Sequence, residues 1–268
     1  MIKKLMISAA AALAIVAFAA GCGSEKKEAN EVTVGVTAGS SEEIMEVVAK
    51  EAEKQGLKVH VKTFGDYVST DTALANGEID LNAFQHKPYL DAFNEKNGTD
   101  LVPLGQTYLA PLAVYSKKYK SMADIPDNAD IAVPNDPTNE GRALLLLQRA
   151  GWLTIKAGVP STKVTPQDIE SFVKPIHIVE LEAPQLPRSL DDTAASIING
   201  GYSIAAGLNS QKDSIFVEDN TSPYVNIVAV KKENLDNPTY KKFLTIFRSE
   251  EVKKFINEKY QGAIVPTW

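Results

Sequence analysis

Apolar and polar positions alternate with two different periods along the first part of the chain. Residues 31–37 (EVTVGVT) and residues 57–64 alternate every second position, which predicts two strands. Between them, apolar residues at positions 44, 47, 48 and 52 mark one face of a helix. Ser40, followed three residues later by Glu43, matches a capping box at the start of that helix. The chain therefore opens in the order strand, helix, strand, which is typical of a parallel α/β sheet.

Aromatic side chains are concentrated where the next strands end. Residues 79–83 predict a third strand, and Pro88 stands where the following helix can begin. Ligands of open α/β sheets bind at the carboxyl edge of the strands. We assign Phe64 and Phe93 to the core and expect Tyr67, Phe84 and Tyr89 to line an apolar pocket. Tyr67 and Phe84 would reach that pocket from loops. The alternative, that all five are core residues, stays open; in order, they are Phe64, Tyr67, Phe84, Tyr89 and Phe93.

The pattern of strands and helices repeats in the middle of the chain and then returns. Residues 131–133 and 176–181 predict further strands, and residues 223–230 predict a strand that carries the chain back to the first block. Two helices are expected after it, beginning near Asn237 and Ser249. Two passages of the chain between the blocks form a hinge, and such two-lobed clamshells close around ligands.

One apolar run of the middle block is expected to be helical. Residues 194–198 follow the polar segment 183–192, which leads into a helix. Asn199 and the two glycines after it carry the signals of a helix end. Residues 204–207 would then form a short buried strand.

A candidate anion site lies between the strand at residues 131–133 and the helical run at 143–147. The two prolines of residues 134–137 (PNDP) delay the helix until Thr138, so that Thr138 or Asn139 is expected to be the N-cap. Helix N-termini expose unpaired N–H groups, and Arg142 stands in the same first turn. This arrangement suits a small carboxylate or phosphate. The alternative is that Asn139 only caps the helix and Arg142 pairs with Glu140 or solvent.

The N-terminal residues have the composition of a secretory signal. Two lysines precede an apolar, alanine-rich run at residues 5–20, and small residues stand before the chain's one cysteine, Cys22. A lone cysteine cannot form an internal disulfide. Its position resembles a bacterial lipobox, in which acyl chains such as palmitate are attached to the cysteine. Ala19 departs from the motif, because leucine is usual at that position. Residues 22–30 are polar and predict a flexible tether.

Composition and motifs exclude several classes of function. The formal net charge is −6 over 268 residues, and the sequence has no basic cluster, which argues against a nucleic-acid partner. The three histidines lack metal-ligand spacing, and no cysteine cluster occurs. The sequence also lacks a nucleophile elbow, a dinucleotide fingerprint and a phosphate-binding loop. We therefore expect neither a cofactor nor a metal, and no enzyme.

Five segments of the chain resemble a known family. The resemblance covers essentially the whole mature chain, and the segments occur in the family's order: FGDYV (64–68), NAFQHKPYL (82–90), VPNDPTNEGRALLLLQ (133–148), VELEAPQLPRSLDD (179–192) and FVEDNTSPYVN (216–226). They are similar to the methionine-binding lipoproteins of bacterial ABC importers, the NlpA/MetQ type.

The resemblance implies an α/β, two-lobed fold of the type II periplasmic-binding-protein kind, with two hinge crossings. We expect a signal peptide at 1–21, a tether at 22–30, a first lobe from 31–110 plus 230–268, and a second lobe from 111–229. The family's function would be to capture methionine and deliver it to a permease with a cytoplasmic ATPase. The protein would be a monomer, anchored by its lipid on the extracytoplasmic face of the cell membrane.

Carried onto this chain, the resemblance implies a set of ligand contacts. Arg142 and Asn139 would hold the ligand's carboxylate, in agreement with the local pattern. Asn199 and Asn226 would contact the ligand's polar end. Aromatic edges suit sulfur, at about 0.3–1.5 kcal/mol per contact. The thioether side chain would be surrounded by Tyr67, Phe84, His86 and Tyr89, although His86 could instead be a satisfied polar residue at a strand end.

Three alternatives to a methionine-binding protein remain at this point. The ligand could be another amino acid or a methionine-containing dipeptide, because sequence does not fix the length of an apolar pocket. The chain could be an enzyme on the same fold, although it lacks nucleophile and metal motifs. It could also be a surface interaction protein with a vestigial pocket, against which the joint presence of Asn139, Arg142, Asn199 and Asn226 argues.

Overall fold

The structure is a computed structural model that describes residues 30–219 and 221–268. The predicted signal peptide, Cys22 and all of the predicted tether except Asn30 lie outside the described residues.

The described chain alternates short strands and helices. The strands are β1 (Glu31–Thr37), β2 (Lys58–Phe64), β3 (Leu81–Asn82), β4 (Leu101–Gln106), β5 (Tyr108–Leu109), β6 (Ala113–Tyr115), β7 (Ala129–Pro134), β8 (Leu153–Ile155), β9 (Ile169–Phe172), β10 (Ile176–Leu181), β11 (Ala195–Ile198), β12 (Ser214–Val217), β13 (Ile227–Lys231) and β14 (Val265–Pro266). The helices are α1 (Ser40–Lys54), α2 (Tyr67–Ala75), α3 (Lys87–Asn97), α4 (Pro137–Arg149), α5 (Leu186–Ser189), α6 (Gly200–Ala205), α7 (Pro238–Phe247) and α8 (Glu250–Tyr260).

The first lobe is built on a five-stranded sheet in the order β2-β1-β3-β13-β4. β1 runs parallel to β2 and β3, as the opening strand–helix–strand pattern predicts, whereas β13 is antiparallel to both of its neighbours. The inward side chains of β1, among them Val32 and Val34, are fully buried and pack in one cluster with Phe243 and Phe247 of α7. The C-terminal tail therefore completes the core of the first lobe.

The second lobe repeats this plan with a sheet in the order β10-β7-β11-β6-β12. β7 runs parallel to β10 and β11, and β6 is antiparallel to β11 and β12. This lobe has a separate core in which Ile131 of β7 packs with Leu144 and Leu147 of α4. Because each lobe has its own core, the two can move as bodies about the segments that join them.

The chain crosses between the lobes twice, which confirms the two-lobed α/β architecture. The first crossing runs from β5 to β6, and the second runs from β12 to β13. The predicted boundary between residues 229 and 230 falls inside β13, all of which pairs in the first sheet. The second crossing therefore ends before Ile227.

Three local predictions are wrong at helix starts. α1 has Gly39 as its N-cap and no side-chain cap, so Ser40 and Glu43 form no capping box. α4 begins at Pro137 with Asp136 as its cap, because proline fits the first turn of a helix. Tyr67 is the first residue of α2 rather than a loop residue, since Asp66 caps that helix.

The apolar run after residue 194 is a strand rather than a helix. Residues Ala195–Ile198 form β11, which is fully buried between β7 and β6. Asn199 is the N-cap of α6, so Asn199 and the two glycines begin a helix instead of ending one. The predicted strand at 204–207 is the end of α6 and the turn after it.

Candidate functional site

The eight predicted site residues meet in one cavity between the lobes. The first lobe supplies the aromatic residues and His86 from the ends of β2 and β3, and the second lobe supplies polar residues from the starts of α4 and α6. The predicted residues that line the cavity are Tyr67, Phe84, His86, Tyr89, Asn139, Arg142, Asn199 and Asn226. The cavity volume is about 30 Å³, which is room for about one or two water molecules. An amino acid can therefore enter only if the lobes separate.

Asn139 occupies the centre of the polar side of the cavity. Its Oδ1 accepts from Asn199 Nδ2 at 2.9 Å and from the His86 ring at 3.1 Å. Its Nδ2 donates to both carboxylate oxygens of Asp136, at 3.0 and 2.9 Å. The side chain of Asn139 is thus held by Asp136 and in turn orients Asn199 and His86.

His86 is a neutral imidazole with a fixed tautomer. Its Nδ1 accepts from the backbone N–H of Tyr89 at 3.2 Å, so Nε2 carries the hydrogen and donates to Asn139. Burial, together with the nearby positive charge of Arg142, lowers the pKa of His86 to about 3. His86 is therefore a hydrogen-bond donor across the cleft and carries no charge at neutral pH.

Arg142 is buried and held by a residue that the sequence did not indicate. Its Nε donates to Glu218 Oε1 at 3.0 Å, and its Nη2 donates to Glu218 Oε2 and, at 3.3 Å, to the carbonyl of Ala110. The guanidinium lies over the ring of Tyr224, 4.6 Å from its centroid. Burial alone would raise the pKa of Glu218, but the Arg142 charge lowers it, so the carboxylate stays ionised. The partner of Arg142 is Glu218 and neither Glu140 nor solvent.

The apolar wall of the cavity belongs to a cluster of four aromatic rings, of which Tyr67, Phe84 and Tyr89 line the cavity and Tyr202 packs against Tyr67. The Tyr67 ring lies at the centre, with centroids 5.3 Å from Phe84, 5.4 Å from Tyr89 and 5.2 Å from Tyr202. Burial raises the pKa of Tyr67 well above its ordinary value, so the phenol stays neutral. Sequence reasoning missed Tyr202, because it placed this residue after a helix end instead of inside α6, on the cleft side of the second lobe.

Three polar atoms of the cavity lining are buried without a partner in the described part of the chain. They are Asn199 Oδ1, Gln85 Oε1 and Ser40 Oγ. Among residues 30–219 and 221–268, Arg142 donates its hydrogen bonds through Nε and Nη2, which leaves Nη1 for a ligand. Buried polar groups are normally paired. The cavity therefore presents free acceptors, Asn199 Oδ1 among them, and one free cationic donor to a bound ligand.

Within the described residues, the structure has neither a metal-ligand cluster nor a helix that could span a membrane. No group of three or more histidine, cysteine, aspartate or glutamate side chains in residues 30–219 and 221–268 is placed to hold a metal ion. None of the helices in this part of the chain has the length and apolar character needed to span a membrane.

Comparison with known proteins agrees with the geometry. The chain is 48% identical over 252 residues to a Salmonella typhi protein named D-methionine-binding lipoprotein MetQ, and the match covers 93% of each chain. It is similar to the structure of a nutrient binding protein from Burkholderia cenocepacia bound to methionine, with 45% identity and a TM-score of 0.86 over 88% of this chain and 100% of that one. A crystal structure of the methionine binding protein MetQ matches with 46% identity and a TM-score of 0.87, covering 90% and 99% of the two chains.

The family profile described as NlpA lipoprotein matches residues 32–268, which is nearly all of the chain that follows the predicted signal and tether. The chain therefore belongs to the NlpA lipoprotein family.

Proposed function

We propose that this protein captures free methionine outside the cytoplasmic membrane and delivers it to the permease of an ABC importer. Relatives at nearly half identity are named methionine-binding lipoproteins, and one similar structure is described as bound to methionine. Another similar structure, from Coxiella burnetii, is described as a periplasmic substrate-binding protein of an ABC transporter. Binding and delivery, rather than catalysis, is the function that these relatives support.

One observation carries the proposal: the cavity holds a free acceptor and a free cationic donor beside a wall of aromatic rings. Asn199 Oδ1 is buried and unpartnered among the described residues, and Arg142 Nη1 is free to donate. A buried zwitterion needs its carboxylate paired and its ammonium hydrogen-bonded, because desolvation otherwise defeats binding. Arg142 Nη1 can pair with the carboxylate of the ligand, and Asn199 Oδ1 can accept a hydrogen bond from its ammonium.

We assign the ligand contacts accordingly. Arg142 pairs with the carboxylate, and Asn199 and Asn226 accept from or orient the ammonium end. Asn139, whose Nδ2 is held by the Asp136 carboxylate, lies beside the ligand carboxylate and holds Asn199 and His86 in place. The thioether lies against the aromatic wall, where ring edges favour sulfur; its contacts are Tyr67, Phe84, Tyr89 and His86.

The anchoring and the partners belong to the same proposal. Lipid on Cys22 and the tether at 22–30 would hold a monomeric binding body at the extracytoplasmic face of the membrane. Several acyl chains on one terminus anchor a protein firmly, whereas a single chain does not. The permease and its ATPase would receive the ligand there. Relatives that share the lipoprotein name support this arrangement.

A thermal-shift screen against single amino acids tests the proposal. The set includes L- and D-methionine, norleucine, leucine and methionine-containing dipeptides. A ligand present at 100 times its dissociation constant adds about 2.7 kcal/mol to the free energy of unfolding. We expect the largest shift with methionine. A shift with another amino acid or only with a dipeptide would favour a different ligand, and no shift with any would favour a vestigial pocket.

A further inference from the structure

We propose that Glu218 positions Arg142 and makes the cleft select a zwitterion over an anion of the same shape. The inference concerns the same site as the proposed function and rests on it. Its subject is a residue outside the predicted ligand contacts.

The first step is that Glu218 leaves the guanidinium only one orientation. Both carboxylate oxygens bind one edge of it, through Nε and Nη2, and the Tyr224 ring covers one face. The side chains of Arg142 and Glu218 are 4% and 10% exposed, so neither can swing into solvent. Only the Nη1 edge remains for a ligand.

The second step is that Glu218 joins both chain crossings to the anion site. Its Oε2 accepts from the backbone N–H of Leu112 at 3.1 Å, in the first crossing. Its Oε1 accepts from the hydroxyl of Ser222 at 2.7 Å, in the second crossing. Arg142 also contacts the first crossing through the carbonyl of Ala110. The guanidinium is therefore fixed relative to both segments about which the lobes move.

The third step is the charge balance of the closed cleft. Glu218 neutralises Arg142, and His86 is uncharged. Asp136, which caps the start of α4, lies near enough to interact with the Arg142 charge, and burial raises the pKa of its carboxyl. Among the described residues that line the cavity, Arg142 is the only cation, and Glu218 balances it. A ligand that brings only a carboxylate adds unpaired negative charge to a buried site, whereas an amino acid brings its own compensating ammonium.

The test compares methionine with its α-hydroxy analogue, 2-hydroxy-4-methylthiobutanoate, which has the same thioether and carboxylate but no ammonium. Calorimetry gives both dissociation constants for the wild type, Glu218→Gln and Asp219→Asn. We expect the wild type to prefer methionine by about tenfold or more, and Glu218→Gln to reduce that preference by about tenfold. Asp219→Asn removes a neighbouring charge that pairs with Arg149 at the surface, and it should leave the preference unchanged.

Each outcome bears on the proposal. If Glu218→Gln weakens both ligands by the same factor, Glu218 has only a structural role and the selection is overturned. Equal binding of both ligands by the wild type also overturns it. If circular dichroism shows that Glu218→Gln does not fold, Glu218→Asp is measured instead. This variant keeps the negative charge, so methionine binding should weaken while the preference for methionine over the hydroxy analogue stays. Loss of that preference in Glu218→Asp would refute the proposal. A wild type that binds no methionine would refute the proposed function itself, whereas binding with an unmoved preference would refute only this inference.

Discussion

The ring of His86 in the first lobe donates a hydrogen bond of 3.1 Å to the side-chain oxygen of Asn139 in the second lobe. This bond crosses the cleft at the cavity and joins the aromatic side of the site to its polar side. The Tyr67 and Tyr202 rings, 5.2 Å apart, make a second contact between the lobes. Ligand binding and lobe closure therefore use the same residues, so changes at the cleft should alter both.

Replacing Arg142 tests the carboxylate contact. Arg142→Ala should weaken methionine binding at least about tenfold, because the buried ligand carboxylate loses its charged partner. Calorimetry measures this, with Arg149→Ala as the control on the same helix, since Arg149 is half exposed and pairs with Asp219. Unchanged affinity in Arg142→Ala would remove this residue from the site. The variant also leaves Glu218 buried without its partner, so its fold must be checked by circular dichroism.

We expect Asn226 to contribute to methionine binding from its position beside the second crossing. Its Nδ2 donates to the carbonyl of Phe84 at 3.1 Å, and its backbone N–H donates to Tyr108 at 2.8 Å. Asn226→Ala should reduce the melting shift that methionine produces, because the variant loses an amide at the ligand's polar end. Asn257→Ala on the exposed face of α8 is the matched control. A melting shift equal to that of the wild type would contradict this role.

The sequence predicted those parts of the fold whose signals are local. Alternation is clear in β1 and β2, and the caps at Asn237 and Ser249 are confirmed because a side chain there bonds the first turn of its own helix. β11 was misassigned because the short, mostly apolar run at residues 194–198 (AASII) fits a buried strand and a buried helix alike. Asn199 was misread because asparagine followed by glycine occurs at both ends of helices.

The same distinction holds for the site residues: those whose signals are local could be predicted, and those that meet through distant contacts could not. Asn139 and Arg142 stand in one helix turn after a strand, so their neighbours along the chain indicate an anion site. Glu218 lies 76 residues from Arg142, and their contact exists only because the second crossing passes the start of α4. Tyr202 meets Tyr67 only when the lobes close. No local pattern carries such contacts, because they depend on how the two lobes are placed.

The buried carboxyl of Asp71 should give the protein a measurable pH dependence of stability. Oδ1 accepts from Asn82 and Gln85, and Oδ2 has no partner among the described residues. Burial raises the pKa of Asp71 to about 7, above its value of 3.8 in the unfolded chain. The folded state then binds the proton more tightly, so this contribution to stability is complete below about pH 4 and is lost as the pH rises to about 7.

Asp71→Asn mimics the protonated acid and should remove this dependence. Between pH 5 and pH 8, the free energy of unfolding of the variant should rise relative to the wild type by about 2 kcal/mol. Urea denaturation at the two pH values measures the difference. Burial also raises the pKa of Glu140 to about 7, and the lowered pKa of His86 acts in the opposite direction. Both residues are present in the wild type and in the variant, so their contributions to the pH dependence cancel in the comparison. Parallel pH profiles would show that Asp71 is ionised in the folded protein.

Gly39 should be required for closure of the lobes. It precedes α1 with a φ of +97°, and a Cβ there would lie 2.7 Å from the carbonyl oxygen of Gly201 and 2.9 Å from Cβ of Ala205, both on α6 of the second lobe. Gly39→Ala should therefore hold the lobes apart and weaken methionine binding about tenfold or more. Small-angle scattering with saturating methionine should give a larger radius of gyration than the wild type.

Gly56→Ala separates this effect from backbone strain. Gly56 has a φ of +70°, but no described residue other than its chain neighbours lies within 4 Å of the position of a Cβ there. Both variants suffer the cost of a side chain at positive φ, about 1–2 kcal/mol, and should melt at lower temperatures than the wild type. Only Gly39→Ala adds a collision between the lobes, so only it should lose affinity. Equal affinity in the two variants would mean that the lobes bind the ligand without approaching as closely as Gly39 and Ala205 do in this structure.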